Sequence, residues 1–229
     1  MTVRAAVVIA AGGHGHRMGG VRKQYVELAG EPVLARAIRP FLEVEGVEWV
    51  VVALPRDDAA DPPSWLTALD PRVRTVAGGA ERSDSVRAAL EAVPGEADIV
   101  LVHDAARPLI EPAVIRAALE AAATGVGAVV AVPVSDTIKV VDGEGTIVDT
   151  PDRARLWKAQ TPQAFPRSLL ADAHARAADE GIGATDDAAL VERCGGTVVV
   201  VPGDPSNLKI TTPADLVLAE ALLGERRQR

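Results

Sequence analysis

Ala5-Ala6-Val7-Val8-Ile9, continuing into Ala10-Ala11-Gly12-Gly13-His14-Gly15-His16-Arg17-Met18 and then Lys23-Gln24-Tyr25, is the stretch on which the reading of this chain turns. A short apolar run bounded by glycines reads as a buried strand of a parallel sheet. The loop leaving such a strand lies at the carboxyl edge of the sheet, where open α/β folds take their ligands. Glycines there let backbone N–H groups come close to a phosphate. Arg17 and Lys23 add positive charge just beyond, so Ala10, Ala11, Gly12, Gly13 and Gly15 with these two cations look like a cradle for a polyphosphate. The spacing Gly13-x-Gly15-x-x-x-Gly19 is also open to a dinucleotide-binding turn. Against that, no acidic residue closes the second strand, Val47–Leu54; Pro55 and Arg56 follow it, and Asp57 comes late. A Walker A loop is excluded, because no Gly-Lys-Ser/Thr tripeptide occurs. The plain alternative is a structural turn with solvated Arg and Lys.

Outward from this loop, strand and helix alternate. Glu31–Glu43 reads as a helix with Pro32 in its first turn. A short helix is expected around Trp65–Leu69, strands over Val73–Ala77 and Asp98–His103, and helices over Ser83–Val93 and Pro112–Ala123. Gly127–Val132 is a fifth strand. The pattern predicts an α/β fold with a doubly wound, mostly parallel sheet and right-handed crossovers. Thr137–Val141 and Thr146–Asp149, separated by Asp142-Gly143-Glu144-Gly145, read instead as a β-hairpin. It reads either as a surface decoration or, since a hairpin this small is marginal by itself in water, as an arm that packs on another subunit. With no repeats or linker, residues 1–229 are expected to form one domain, with the arm at about 136–152.

The chain has 229 residues, 48% of them hydrophobic, enough for a sizeable core. Its formal net charge of −8 argues against a nucleic-acid surface while leaving room for a local basic pocket. Cys194 is the only cysteine, so no intramolecular disulfide forms, as in a reducing cytoplasm. The amino terminus enters a strand with no charged-then-apolar leader, and no apolar run is long enough to span a bilayer. A cytoplasmic protein, free of membrane and nucleic acid, is expected.

Chemistry should gather at the strand ends. The strand ending in His103-Asp104-Ala105-Ala106-Arg107-Pro108 places Asp104 beside the glycine loop. Mg²⁺ takes few protein carboxylates and shares its other positions with phosphate and water, so Asp104 suits it. The alternative is that Asp104 opens a turn and pairs with Arg107. His103 has no spaced partner for a zinc site and reads as structural. In Gly78-Gly79-Ala80-Glu81-Arg82-Ser83-Asp84-Ser85-Val86, Gly79 backbone can meet a base and Ser85 can bond a sugar or base, while Ser83 or Asp84 caps the helix. A second group comprises Arg153, the polar run Trp157-Lys158-Ala159-Gln160-Thr161-Pro162-Gln163, Thr185-Asp186-Asp187 and Asn207-Leu208-Lys209-Ile210-Thr211. Thr185 and Thr211 or Thr212 read as N-caps. Several cations and hydroxyls beside a nucleotide loop would suit a second, phosphorylated substrate.

Taken in order, Ala-Ala-Gly with Arg17-Met18 and Lys23-Gln24-Tyr25, then Gly78-Gly79 with Glu81-Arg82 and Ser85-Val86, resemble a sugar-phosphate nucleotidyltransferase. Val102–Pro108, Asp136–Lys139, Trp157 with Thr161-Pro162-Gln163, and Asn207–Thr211 narrow the resemblance over the whole chain to 2-C-methyl-D-erythritol 4-phosphate cytidylyltransferases of the non-mevalonate isoprenoid pathway. The resemblance implies a Rossmann-like domain, a homodimer made through the arm, and Mg²⁺-dependent transfer from CTP to a polyol phosphate with release of pyrophosphate. By position it implies that Arg17 and Lys23 hold the triphosphate as catalytic cations. Ala10 to Gly13, Gly15, Gly79, Ser85, Asp104 and Ala105 would bind the nucleotide, with Asp104 near the metal. Arg153 and Lys209, helped by Thr137, Thr161, Thr185 and Arg107, would position the polyol phosphate, with some contacts crossing between subunits. Two features depart from the family pattern: the glycine loop is a residue longer, with His14 and His16 inside it, and Arg22 stands where the family usually has proline. Three other readings stay open on sequence: a ribitol 5-phosphate cytidylyltransferase, an NADP-dependent oxidoreductase, and a non-catalytic CTP-binding regulator.

Overall fold

The apolar run after the amino terminus forms β1 (Ala5–Ala10), and in this computed structural model, which describes residues 3–13 and 22–226, it lies inside a seven-stranded sheet. A 3₁₀ turn (Lys23–Tyr25) leads to the short strands β2 (Glu27–Leu28) and β3 (Glu31–Pro32), then α1 (Val33–Leu42) and β4 (Val47–Leu54). Two short helices, α2 (Arg56–Ala60) and α3 (Ser64–Thr67), precede β5 (Val73–Ala77), α4 (Arg82–Glu91), β6 (Ile99–Asp104), α5 (Pro112–Ala122) and β7 (Gly127–Pro133). The arm carries β8 (Val140–Val141) and β9 (Ile147–Asp149). A 3₁₀ turn (Arg153–Arg155) leads into β10 (Trp157–Pro166), followed by α6 (Arg167–Glu180), α7 (Asp187–Arg193), β11 (Val198–Pro202) and α8 (Pro213–Arg226).

The strand order is β11-β7-β10-β6-β1-β4-β5. β1 pairs in parallel with β4 on one side and β6 on the other, and β10 alone runs antiparallel to its neighbours β6 and β7. The predicted doubly wound, mostly parallel α/β sheet is therefore present. The chain builds outward from β1 through β4 and β5, then returns to lay β6 on the other side. That reversal opens a crevice at the carboxyl ends of β1 and β6.

Both faces of the sheet are covered at its centre, which is why β1, β4 and β6 read as near-continuous apolar runs rather than alternating. Ala5, Val7 and Ile9 face one layer with Leu34, Ile38 and Phe41 of α1 and Ile115 of α5. Ala6 and Val8 face the other with Val86 and Leu90 of α4, Leu170 of α6 and Val191 of α7. Phe41 sets its ring edge-on to His103, 4.9 Å between centroids, so the core props the strand end that carries Asp104.

The local differences from expectation have physical causes. The helix predicted from Glu31 begins at Val33, because Glu31 and Pro32 pair with Glu27 and Leu28 around a two-residue turn. Ala29 (φ 49°) and Gly30 (φ 79°) both take positive φ there, as a tight hairpin turn demands. α4 starts at Arg82; Ser83 does not cap it, and Asp84 contributes from the third helical position by accepting the Glu81 N–H at 3.2 Å. Asp186, not Thr185, caps α7 by accepting the Ala189 N–H at 3.0 Å. Thr212 accepts the Asp215 N–H, and Pro213 follows as the first residue of α8. β10 and β11 lie outside the strands assigned from sequence. The hairpin arm forms where expected, and its strand residues are all exposed.

Candidate active site

A cavity of about 400 Å³ opens at the carboxyl ends of β1 and β6. One wall is the start of the glycine loop, Ala10 to Gly13. Buried Gln24 reaches across to donate from Nε2 to the Ala11 carbonyl at 3.1 Å, tying the Lys23–Tyr25 turn to that loop. The turn is held from its far side by Asp58, which accepts the Tyr25 hydroxyl at 2.7 Å and pairs with Arg22. The opposite wall is Gly79 to Arg82 with Ser85. Ser85 is buried; its Oγ accepts the Gly79 N–H at 3.1 Å and donates to the Glu81 carbonyl at 3.0 Å. The walls approach so closely that a Cβ on Gly12 would stand 2.8 Å from Ser85 Oγ, and one on Gly78 2.7 Å. Only glycine fits both places.

Asp104 is the hub between this cavity and the next. Its Oδ1 accepts from Arg82 Nε at 3.0 Å and its Oδ2 from Lys209 Nζ at 2.7 Å. Burial opposes its charge, but Arg82 and Lys209 outweigh that and hold the carboxyl well below the usual carboxylate range. The expected pairing of Asp104 with Arg107 is loose, 3.9 Å at its nearest. Arg107 instead donates to the Asn207 carbonyl at 2.8 Å, and its buried Nε has no partner. Burial lowers the Arg107 pKa from its ordinary value.

A second cavity, about 260 Å³, shares Arg82, Asp104 and Lys209 with the first and adds Arg107, Thr161, Gln163, Thr185 and Asp186. Its wall is the irregular middle of β10, where the register with β7 shifts between Ala159 and Gln163. Such a bulge turns polar side chains toward a site. Each is anchored. Asn207 donates to Gln160 Oε1 at 3.1 Å and to the Thr161 carbonyl at 2.9 Å. Gln163 donates to Asp186 at 2.8 Å and accepts the Ala188 N–H at 2.9 Å, joining β10 to the start of α7.

The Thr161 hydroxyl lies 3.0 Å from His103 Nδ1 and accepts the Asp104 N–H at 3.1 Å. His103 Nε2 lies 3.1 Å from the Arg107 carbonyl, which can only accept. The set is consistent for a neutral ring protonated at Nε2, with Thr161 donating to Nδ1. Complete burial pushes the His103 pKa down to about 4, which keeps the ring neutral. His103 is therefore a strut, as its lack of a metal-site partner suggests.

Among the residues expected to bind a nucleotide, Ala10 to Gly13, Gly79, Ser85, Asp104 and Ala105 all line the first cavity. Arg107, Thr161, Thr185 and Lys209, expected to meet the second substrate, all line the other. Thr137 and Arg153 line neither; they are exposed at the base of the arm, where Arg153 donates to the Ser135 carbonyl at 3.0 Å. Arg17 and Gly15 lie outside the described residues, and of Lys23 only the backbone turn is described. Arg82, Gln24, Asp187 and His174 received no role from sequence; the position of Arg82 just after a strand end was the available signal. Among the described residues no cluster of three metal-ligating side chains exists. Asp104 still fits an ion held mainly by phosphate oxygens, since a carboxylate has about four lone-pair sites and two are taken.

Known proteins bear on this arrangement. The profile of the IspD family, 2-C-methyl-D-erythritol 4-phosphate cytidylyltransferase, matches residues 5–225. A 2-C-methyl-D-erythritol 4-phosphate cytidylyltransferase of Symbiobacterium thermophilum is 49% identical, the alignment covering 100% of this chain and 97% of that protein. One of Saccharopolyspora erythraea is 49% identical over 95% of this chain and 98% of its own. The crystal structure of 4-diphosphocytidyl-2C-methyl-D-erythritol synthase from Anaerococcus prevotii superposes with a TM-score of 0.88 at 28% identity, covering 97% of each chain. The cytidylyltransferase of Thermus thermophilus does so at 0.80 and 37% identity, covering 97% of this chain and 98% of that one. With a glycine-walled cavity joined to a second, cation-lined one, and relatives matching along its length, this chain belongs to the 2-C-methyl-D-erythritol 4-phosphate cytidylyltransferase family.

Proposed function

We propose that the two cavities hold CTP and 2-C-methyl-D-erythritol 4-phosphate, and that the chain joins them to give 4-diphosphocytidyl-2-C-methyl-D-erythritol and pyrophosphate in isoprenoid-precursor synthesis. The observation that carries this reading is the shared wall of Arg82, Asp104 and Lys209 between a glycine-walled cavity and a cation-lined one. A nucleotide sensor needs only the first. Two adjoining cavities let two phosphorylated molecules meet end to end.

In this reading a phosphate oxygen of the polyol attacks the α-phosphorus of CTP, and pyrophosphate leaves. The attacking oxygen is already an anion, so no general base is required. The barrier lies in bringing two anions together and in the charge on the transferring group, which fixed cations offset. Arg17 and Lys23 take that role at the triphosphate. Lys209 and Arg107 line the cavity assigned to the polyol phosphate. Asp104 and the triphosphate oxygens would hold Mg²⁺, which supplies charge neutralisation when bound.

The arm completes the proposal. Val140, Val141, Ile147 and Val148 are each more than 40% exposed, an apolar set suited to a second copy of the chain. In a homodimer, Thr137 and Arg153 at the arm's base would reach the partner's polyol-phosphate cavity. No helix among the described residues is long and apolar enough to cross a membrane. A cytoplasmic location belongs to the same proposal and is supported by the free Cys194.

The test is pyrophosphate release from CTP and Mg²⁺ with methylerythritol 4-phosphate and ribitol 5-phosphate in parallel. Release with methylerythritol phosphate is expected. Preference for ribitol phosphate would keep the chemistry and change the polyol; release with neither, despite CTP binding, would refute the catalytic reading.

A further inference from the structure

Arg82 is the residue of α4 that borders both cavities. It stands at the first position of the helix on a flexible side chain, so its direction must be set by what it touches. Nε faces Asp104 at 3.0 Å, and one terminal nitrogen donates to Asp187 Oδ2 at 2.8 Å. Asp187 borders neither cavity; it is buried at the first position of α7. Its other oxygen receives His174 Nε2, also buried, from the middle of α6 at 2.9 Å. The groups run as a line across three helices, a strand and the segment before α8: His174, Asp187, Arg82, Asp104, Lys209.

A buried carboxylate is costly, and apolar packing could hold α6 against α7 as well or better. What apolar packing cannot do is aim a guanidinium. Charge-assisted bonds to two carboxylates on opposite sides fix its plane and leave it little freedom.

We propose that Asp187, clamped by His174, is a positioning residue for the transfer reaction: it sets the direction of Arg82 and, through Arg82 and Asp104, the place of Lys209 on the wall between the cavities. This rests on the assignment of the two cavities made above. Asp187 touches no substrate in this scheme, and its effect passes entirely through Arg82.

The test is a mutant cycle in the full chain, read by steady-state kinetics with CTP, methylerythritol phosphate and Mg²⁺ and by thermal melting. Asp187→Asn keeps the shape and an acceptor but removes the charge. It is expected to lower kcat about tenfold or more while KM for CTP stays within about threefold, the pattern of an interaction realised in the transition state. Arg82→Lys is expected to lose as much or more. The double variant is expected to be no worse than Arg82→Lys alone. Unchanged kcat in Asp187→Asn, or losses that multiply in the double variant, would overturn the proposal.

His174 supplies an independent arm should Asp187→Asn fail to fold. His174→Gln, which retains a donor, is expected to keep near-normal kcat, and His174→Leu to lose it in a chain that still melts cooperatively. Equal kcat in the two would overturn the proposal. Lys209→Ala separates this inference from the reading beneath it. An unchanged KM for the polyol phosphate there refutes the cavity assignment; a raised KM together with multiplying losses in the cycle refutes only the positioning role.

Discussion

Asp104 and Asp187 are buried charges whose partners all lie within the chain, whereas Val140, Val141, Ile147 and Val148 on the arm are apolar side chains left 42–59% exposed. The contrast follows from what each group requires. A buried carboxylate must be compensated where it stands, since an unpaired one is not tolerated. An exposed valine costs little until an outside surface covers it. The charges of Asp104 and Asp187 are therefore compensated within one chain, whereas in the proposed homodimer the arm would offer its surface to another. On the proposed function, the first kind of region would hold the substrates and the second would serve assembly.

The largest expected effect breaks the cavity side. Lys23→Ala and Arg17→Ala should each fold normally and lose turnover by about a hundredfold or more, the scale of a removed charge-stabilising donor. Near-normal kcat in both at saturating substrates would show that the described wall suffices without them. The arm side is tested by Arg153→Ala, expected to raise KM for the polyol phosphate by about tenfold or more, the scale of a lost charged hydrogen bond, with KM for CTP little changed. If the arm serves its partner's cavity, mixing Arg153→Ala with Lys209→Ala dimers should restore activity. One site of each mixed dimer then carries both lesions and the other none. No recovery after confirmed subunit exchange would place Arg153 in its own chain's function.

Gly79→Ala probes how tightly the cavity wall is closed. Its Cβ would meet Asp84 Cβ at 2.2 Å, so the loop or the start of α4 must shift. A loss of about 1–3 kcal/mol, typical of overpacking, is expected in urea unfolding, together with weaker CTP binding. Wild-type stability would mean the wall yields freely.

The smallest effect concerns pH. His103 has a pKa near 4 when folded, against about 6.5 in an unfolded chain. Between those values the unfolded state binds more protons, so stability falls as pH drops from 6.5 toward 4. The neutral ring's contribution is fully present above pH 6.5 and is lost as pH falls toward 4. Melting of His103→Gln should lack this segment of the pH dependence. The depressed carboxyls of Asp104 and Asp187 act lower, losing their contribution as pH falls below the ordinary carboxylate range. An identical profile in His103→Gln would remove His103 as the cause.

β1, β4 and β6 were legible because each is a short, mostly apolar run closed by glycine, proline or a polar turn. Ala10 to Gly13 and Asp104 could be placed at strand ends for that reason. β10 was not legible. Lys158, Gln160, Thr161 and Gln163 with two prolines look like a loop, and proline within a run argues against a central strand. The strand exists because its buried polar atoms are met by Asn207, His103 and Asp186 from elsewhere in the chain, and no local pattern records such partners. β11, a run of four valines, carried the same signal as β1 and was recoverable. The clamp on Arg82 is harder to see. Asp187 sits beside Asp186 in sequence, yet one caps a helix and the other holds a guanidinium from a segment about a hundred residues away.

The antiparallel strand in the middle of the sheet also imposes an order on biosynthesis. β1, β4, β5 and β6 are contiguous in the sheet and are all translated by Asp104. β7 follows in the chain but cannot dock against β6, because β10 must occupy the place between them. A nascent chain that has emerged only as far as the arm thus carries β1, β4, β5 and β6 together with a β7 that has no neighbouring strand to dock on. The second cavity can form only after residues 157–166 have left the ribosome and slotted between two strands made earlier, and after Thr185, Asp186 and Lys209 have followed. Until then β6 presents an open edge, of the kind that pairs with a neighbouring chain.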